Sequence, residues 1–185
     1  MELLSRFRVQ EDLRALSKDL ARFYAACHVL SLLRVWMQPM LPAPALFGAA
    51  HTALRACAHA PLESVGAWTV WFEARALAAT GHRPRLEVCA ICDGALESSS
   101  LFSAPAGGLV HRRCAPPGPT HRLGDSEVRG LLRIYTARLP ELKREPPDAA
   151  VVRAGRAVHD LFIPYVLERR PATLGPLPGR TVTRR

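Results

Sequence analysis

The stretch that decides the fold is residues 89–114, CAICDGALESSSLFSAPAGGLVHRRC. It opens on Cys89 and Cys92, runs through eighteen residues, and closes on His111 and Cys114. Two residues between ligands let a tight turn aim both side chains at one point, and a second such pair completes a tetrahedron. Thiolates and a neutral imidazole are soft and borderline donors that suit zinc. All four positions are filled by protein, so the expected ion is single and structural, with no open site for an activated water. The competing reading makes Cys89 and Cys92 a redox pair. That chemistry wants a helix N-terminus in a βαβ context, whereas here the pair follows a Gly/Pro-rich turn and precedes a hairpin pattern. His121 and His82 are the geometric substitutes for His111.

Around this motif the texture is rich in Gly, Pro, Cys and His, with Leu101-Phe102 and Leu109-Val110 as two short strands flanking the turn at residues 105–108. On the N-terminal side the pattern is helical. Leu13, Leu16, Leu20, Phe23, Cys27 and Leu30 alternate at spacings of three and four, which predicts a helix over 10–38 with that stripe inward. Pro39, Pro42 and Pro44 break it. A second helix over 45–59 places Leu46, Ala49, Ala53 and Cys57 inward. A third follows Pro61 to about residue 80 and is apolar nearly all round, the mark of a central helix, with Gly81 ending it. On the C-terminal side Asp125 is the expected N-cap of a helix carrying Val128, Leu131, Leu132, Tyr135 and Leu139. Residues 140–147 are expected to be a linker. A last amphipathic helix then buries Val151, Ala154, Val158, Leu161, Phe162 and Tyr165, with Pro164 kinking it.

The expected fold is therefore mainly α, a helical bundle with an inserted zinc-binding β-hairpin module. The expected division is a helical body over 1–81, the zinc-binding module over 82–124, helices packing back on the body over 125–170, and a mobile tail over 171–185. Cys27 and Cys57 fall on apolar stripes as small core residues, and Trp36, Trp68 and Trp71 are expected in the core.

Composition narrows the partners. The 185 residues carry 25 Lys and Arg against 16 Asp and Glu, a formal +9, which favours an anionic partner, whether nucleic acid, an acidic membrane surface or an acidic peptide, without choosing among them. The start, MELLSRFRVQEDLR, is charged and reads as no signal peptide. No apolar run reaches the roughly 20 residues that span a bilayer, and five cysteines without a framework pattern suit a reducing cytoplasm. Catalytic zinc signatures are missing. No His-x-Glu occurs, and Val88 rather than Pro precedes Cys89, which excludes the deaminase pattern; His-Glu-x-x-His is absent too. The reading is a binding protein, not an enzyme.

Residues 72–115, FEARALAATGHRPRLEVCAICDGAL followed by LFSAPAGGLVHRRCAPP, resemble the helix, zinc module and linker of bacterial RecO proteins. The start ELLSRFRVQEDL and the close LFIPYVLERRPATL are similar to that family's entry into its helices and its last helix. His111 stands where the family usually has Cys, and Pro164 interrupts a helix that is normally continuous. The resemblance implies a DNA repair and homologous recombination mediator of the bacterial cytoplasm, associated with the nucleoid. Its implied partners are single- or double-stranded DNA, RecR, and the acidic tail of the single-stranded-DNA-binding protein. The family's N-terminal oligonucleotide-binding barrel has no counterpart in these residues, so DNA annealing is the least expected activity. The alternative is a stand-alone zinc-stabilised protein–protein module. Candidate DNA contacts are Arg112, Arg113, Lys143, Arg144, Arg169 and Arg170. Arg112 and Arg113 serve equally as offsets to the charge of a three-thiolate site. Candidate contacts for the acidic tail are Arg129, Arg133, Arg153 and Arg156, a basic rim beside apolar helix stripes.

Overall fold

The protein is described by a computed structural model over residues 11–38, 40–96 and 99–168. Arg169, Arg170 and the expected tail over 171–185 lie outside the described residues. Among those described, six helices surround one long apolar core, and a small sheet closes one side.

The first helix, α1 (Leu20–Trp36), begins where Asp19 accepts from the N–H groups of Ala21 and Arg22. Among the described residues ahead of it there is only a short 3-10 turn, Arg14–Ser17, so the helix expected from about residue 10 starts at Leu20. The expected inward stripe is also corrected. Leu20, Phe23 and Leu30 stand 67%, 46% and 50% exposed, and the buried side is Ala25, Ala26, His28, Val29 and Leu32. A polar pin accounts for the rotation. His28 Nε2 lies 2.5 Å from Glu73 Oε1 inside the core, and turning the leucine stripe inward would carry that donor away from a buried carboxylate.

Helix α2 (Pro44–His59) starts with Pro44 in its first turn, where a missing N–H costs nothing. Leu46, Ala49, Ala53 and Cys57 are buried as the spacing predicts. Arg22 of α1 donates to the carbonyls of Cys57 and, at 2.8 Å, of Ala60, capping the end of α2. Helix α3 (Val65–Ala79) is buried on every side from Ala67 to Ala74 and is the axis of the bundle. It ends at Gly81, whose φ of +80° favours glycine, and His82 N–H closes the turn on Leu77 O at 2.7 Å.

The sheet has three strands, one more than expected. Strand β1 (Ser99–Ser103) pairs antiparallel with β2 (Gly108–Val110) on one side and with β3 (Thr120–Gly124) on the other. Gly124, not Asp125, caps helix α4 (Asp125–Thr136), and Glu127 Oε2 accepts from Gly124 N–H at 2.9 Å. The expected linker after it holds a one-turn-and-a-half helix, α5 (Leu139–Arg144), with Pro140 in its first turn and Leu142 buried. Helix α6 (Ala149–Val166) is capped by Asp148 and buries Val151, Ala154, Val158 and Phe162. Leu161 is half-buried and Tyr165 is exposed, because the stripe drifts off the core at the C-terminal end. Pro164 lies inside the last turn of α6.

Candidate metal centre

Two backbone turns place the ligands. Asp93 N–H bonds Cys89 O at 3.0 Å and Cys89 N–H bonds Gly94 O at 2.9 Å, with Asp93 at φ +59° completing the tight loop between the first pair. The second pair sits on a 3-10 turn, in which Cys114 N–H bonds His111 O at 2.9 Å. The sheet locks the two turns together. Ala90 N–H bonds Leu109 O at 2.7 Å, Arg85 N–H bonds Gly107 O at 3.0 Å, and Leu109 N–H bonds Arg85 O at 2.8 Å. Gly108 makes this possible, since a Cβ there would lie 2.3 Å from Arg85 O.

The outcome is a cluster of Cys89, Cys92, His111 and Cys114 whose ligand atoms all lie within 4.8 Å of one another, a set that could hold a metal ion. Cys92 Sγ and Cys114 Sγ stand 3.4 and 3.8 Å from His111 Nδ1. His111 Nε2 lies 2.7 Å from Ala95 O. A carbonyl can only accept, so Nε2 carries the proton and Nδ1 presents its lone pair to the cluster. A Cβ on Gly94 would meet His111 Cε1 at 3.3 Å and Cys92 Sγ at 3.4 Å, so the loop presses close around the ligands. His82 is instead 3.2 Å from Thr80 Oγ1, and His121 sits on β3 opposite Phe102, so neither substitutes for His111.

The electrostatics point the same way. Burial works against ionising Cys89, but N–H groups of Cys92, His111 and Ile91 stabilise its thiolate and bring the thiol down to about 6. Cys114 is pushed above the ordinary thiol value, by burial and then by the neighbouring Cys92 and Cys89 sulfurs. Three sulfurs this close resist joint ionisation unless a cation lies between them. Cys57 is a contrast. Burial pushes it up to about 12, which makes it an inert core thiol.

The other candidates divide. Arg112 and Arg113 are exposed on the turn between the last two ligands, and Lys143 and Arg144 are exposed on α5. Arg129 and Arg153 are exposed on α4 and α6. Arg133 is held by Glu145, 2.8 Å from both its carbonyl and Oε2. Arg156 departs from the expected rim. It is buried and donates to Thr69 Oγ1 at 3.0 Å, because the close approach of α6 to α3 takes its guanidinium inside.

Two features escaped the sequence reading. One is a groove of about 540 Å³ between the end of α2, α3 and α5, floored by Trp68, Leu139 and Leu142 and edged by Arg55, His59 and Lys143. The other is a buried polar chain. Glu73 Oε2 accepts from His159 Nδ1 at 2.9 Å, His159 Nε2 lies 2.7 Å from Tyr135 Oη, and His28 holds the other carboxylate oxygen. Burial opposes the charge on Glu73, but the two histidine donors outweigh it and hold the carboxyl well below the usual range. A lone acid in a largely apolar central helix was the available signal.

The fold and cluster define a helical bundle with a small sheet and a four-residue cluster that could hold a metal ion. The family model described as Recombination protein O C terminal matches residues 17–174. The DNA repair protein RecO of Anaeromyxobacter dehalogenans is 32% identical over 173 residues, covering 89% of this chain and 67% of the relative. That of Desulforudis audaxviator is 32% identical over 168 residues, covering 89% and 65%. That of Desulforamulus reducens is 24% identical over 179 residues, covering 94% and 67%. The chain belongs to the recombination protein O C-terminal family, and it spans about two thirds of the length of these relatives. Among the described residues, no helix is long and apolar enough to cross a membrane.

Proposed function

We propose that this chain is the helical, zinc-bearing part of a DNA repair and homologous recombination mediator that works by binding and not by catalysis, in the bacterial cytoplasm at the nucleoid. The observation that carries the reading is the Cys89, Cys92, His111 and Cys114 cluster inside a chain of this family. Zinc at its usual 2.3 Å from sulfur and about 2.0 Å from nitrogen would space a tetrahedral S···N edge at about 3.5 Å. The 3.4 and 3.8 Å edges here bracket that value. When bound, the ion would cross-link the two turns, and with four protein ligands it would offer substrate no open position. The expected division into a helical body, a zinc-binding module and closing helices is part of the same reading.

The proposed partners are DNA, RecR and the acidic tail of the single-stranded-DNA-binding protein. For DNA, Arg112, Arg113, Lys143 and Arg144 are exposed cations, and Arg169 and Arg170 complete the proposed set. For the acidic tail, the groove floored by Trp68 and Leu142 suits a terminal apolar side chain, while His59 and Lys143 suit its carboxylates. Arg55 shares this edge but already holds Glu11 at 2.7 Å. Arg129 and Arg153 remain as outer contacts. Fluorescence titration tests both parts. Single-stranded DNA should bind with an affinity that falls steeply with salt, because each neutralised phosphate releases counterions. A labelled acidic peptide should bind in the micromolar range, about −8 kcal/mol, and Lys143→Glu should weaken it. Loss of DNA binding with retained peptide binding would favour the stand-alone protein–protein module. Equal binding of a scrambled acidic peptide would remove the groove from the account.

A further inference from the structure

The four candidate ligands are not equally placed. Cys89 is fully buried, and its sulfur already accepts from the N–H groups of Cys92, His111 and Ile91. His111 is buried and held through Nε2 by Ala95 O. Cys114 is half-buried, and Cys92 is exposed beside Ile91, itself 54% exposed in the first turn. Two ligands are thus anchored inside, and two sulfurs stand nearer solvent.

The chemistry of a three-thiolate site makes this asymmetry matter. A metal-bound cysteine is deprotonated outright, and the thiolate is the form that oxidants attack. Zinc has no redox chemistry of its own, so an oxidant must draw its electrons from sulfur. A hydroperoxide is little larger than water and needs no open face to reach Cys92. Resting on the zinc reading above, we propose that Cys92 is a site of oxidation by hydroperoxide, with Cys114 as its resolving thiol, and that the disulfide formed across the two turns releases the ion. With hydrogen peroxide, the Cys92 sulfur attacks one oxygen, the O–O bond breaks and hydroxide leaves, giving a sulfenic acid. The Cys114 sulfur then attacks the Cys92 sulfur, the S–O bond breaks and a second hydroxide leaves. Two electrons pass from two thiolates to one peroxide. All four ligand atoms lie within 4.8 Å of one another, so the two sulfurs need approach by no more than about 3 Å to reach disulfide bonding distance. Cys89 is the poorer partner, because turning its sulfur away would leave three N–H donors unpaired. After the reaction only Cys89 and His111 remain as ligands, where a structural site needs four.

Hydrogen peroxide added to the zinc-loaded full chain beside a chromogenic chelator, with the untreated chain as reference, tests this. The expected result is release of about one zinc per peroxide consumed, reversed by a thiol reductant and added zinc. Trypsin separates the sulfurs, since cleavage after Arg85, Arg112, Arg113 and Arg122 puts Cys89 and Cys92 in one peptide and Cys114 in another. The non-reduced map should show these two peptides joined, with fragmentation placing the link on Cys92 and with Cys89 open to alkylation. Cys92→His keeps a zinc ligand at that position and should release the ion at least about tenfold more slowly. The wild-type map decides alone should that variant hold no zinc. Zinc retained under peroxide would overturn the proposal and leave the zinc reading intact, whereas a chain purified without zinc would overturn both. A disulfide confined to the peptide over 86–112, or release from Cys92→His at the wild-type rate, would overturn the proposal as well.

Discussion

The helical body and the metal module solve the same problem with different means. The body buries Val29, Leu32, Phe72, Leu77, Leu131 and Ile134 around a helix enclosed on all sides. The module over 82–124 has fewer fully buried large side chains of its own, chiefly Leu86, Phe102, Leu109 and Leu123. Phe102 meets Phe162 of α6 edge-on at 5.5 Å, so even this small core is shared with the body. Apolar burial at roughly 25 cal/mol per Å² sustains a bundle but not an isolated hairpin. Where burial is thin, the Cys89, Cys92, His111 and Cys114 cluster could hold a metal ion that would take its place.

The largest expected effect breaks the module and spares the body. Structural zinc sites contribute about 10–16 kcal/mol of apparent binding energy, so Cys92→Ser should release the ion. Hydrogen exchange should then show lost protection through β1 and β2 while α3 keeps its own. Equal loss in both regions would mean that the two fold as one unit. The reverse substitution is Phe72→Ala, which opens a cavity beside the bundle axis and should cost about 3–5 kcal/mol. A thermal melt should register it as a lower midpoint, with the metal still bound at low temperature.

A subtler test concerns the polar chain inside the body. The carboxyl of Glu73 is held below its ordinary value of about 4.3. Between the lowered folded value and the ordinary one, the native state binds fewer protons than the unfolded one. Its stabilisation is therefore present above about pH 4.3 and is lost as pH falls through the lowered folded value. Glu73→Gln should cost about 2 kcal/mol at neutral pH and flatten the acid limb of the stability curve, as denaturant melts from pH 3 to 7 would show. An unchanged acid limb would remove Glu73 from that role. The smallest effect is local. Asp148→Ala removes the acceptor for Val151 N–H and should lower stability by about 1 kcal/mol, without altering metal content.

Comparing α1 with α2 shows what the sequence could disclose. In α2 the apolar stripe Leu46, Ala49, Ala53 and Cys57 was expected to face the core, and it does. In α1 two stripes compete, and the more regular one lies outside because His28 must reach Glu73. That decision belongs to a contact across 45 residues, and local periodicity does not contain it. The ligand quartet was legible because chelate spacing is local within each pair. Strand β3 was not, since its pairing with β1 supplies order that Thr120 and His121 do not signal by alternation. The short helix at Leu139–Arg144 was hidden by Pro140, which breaks a helix interior but is tolerated in a first turn. The groove needed α2 and α5 brought together and had no sequence signature.

The central claim is that one metal ion holds the module's two turns together. Metal analysis of the purified chain, with Cys92→Ser and His111→Ala beside it, tests this most directly. The account predicts about one zinc per wild-type chain and loss of that zinc in Cys92→Ser, with weakened retention in His111→Ala. Full zinc in both variants, or a wild-type chain free of metal whose module keeps its hydrogen-exchange protection, would contradict it.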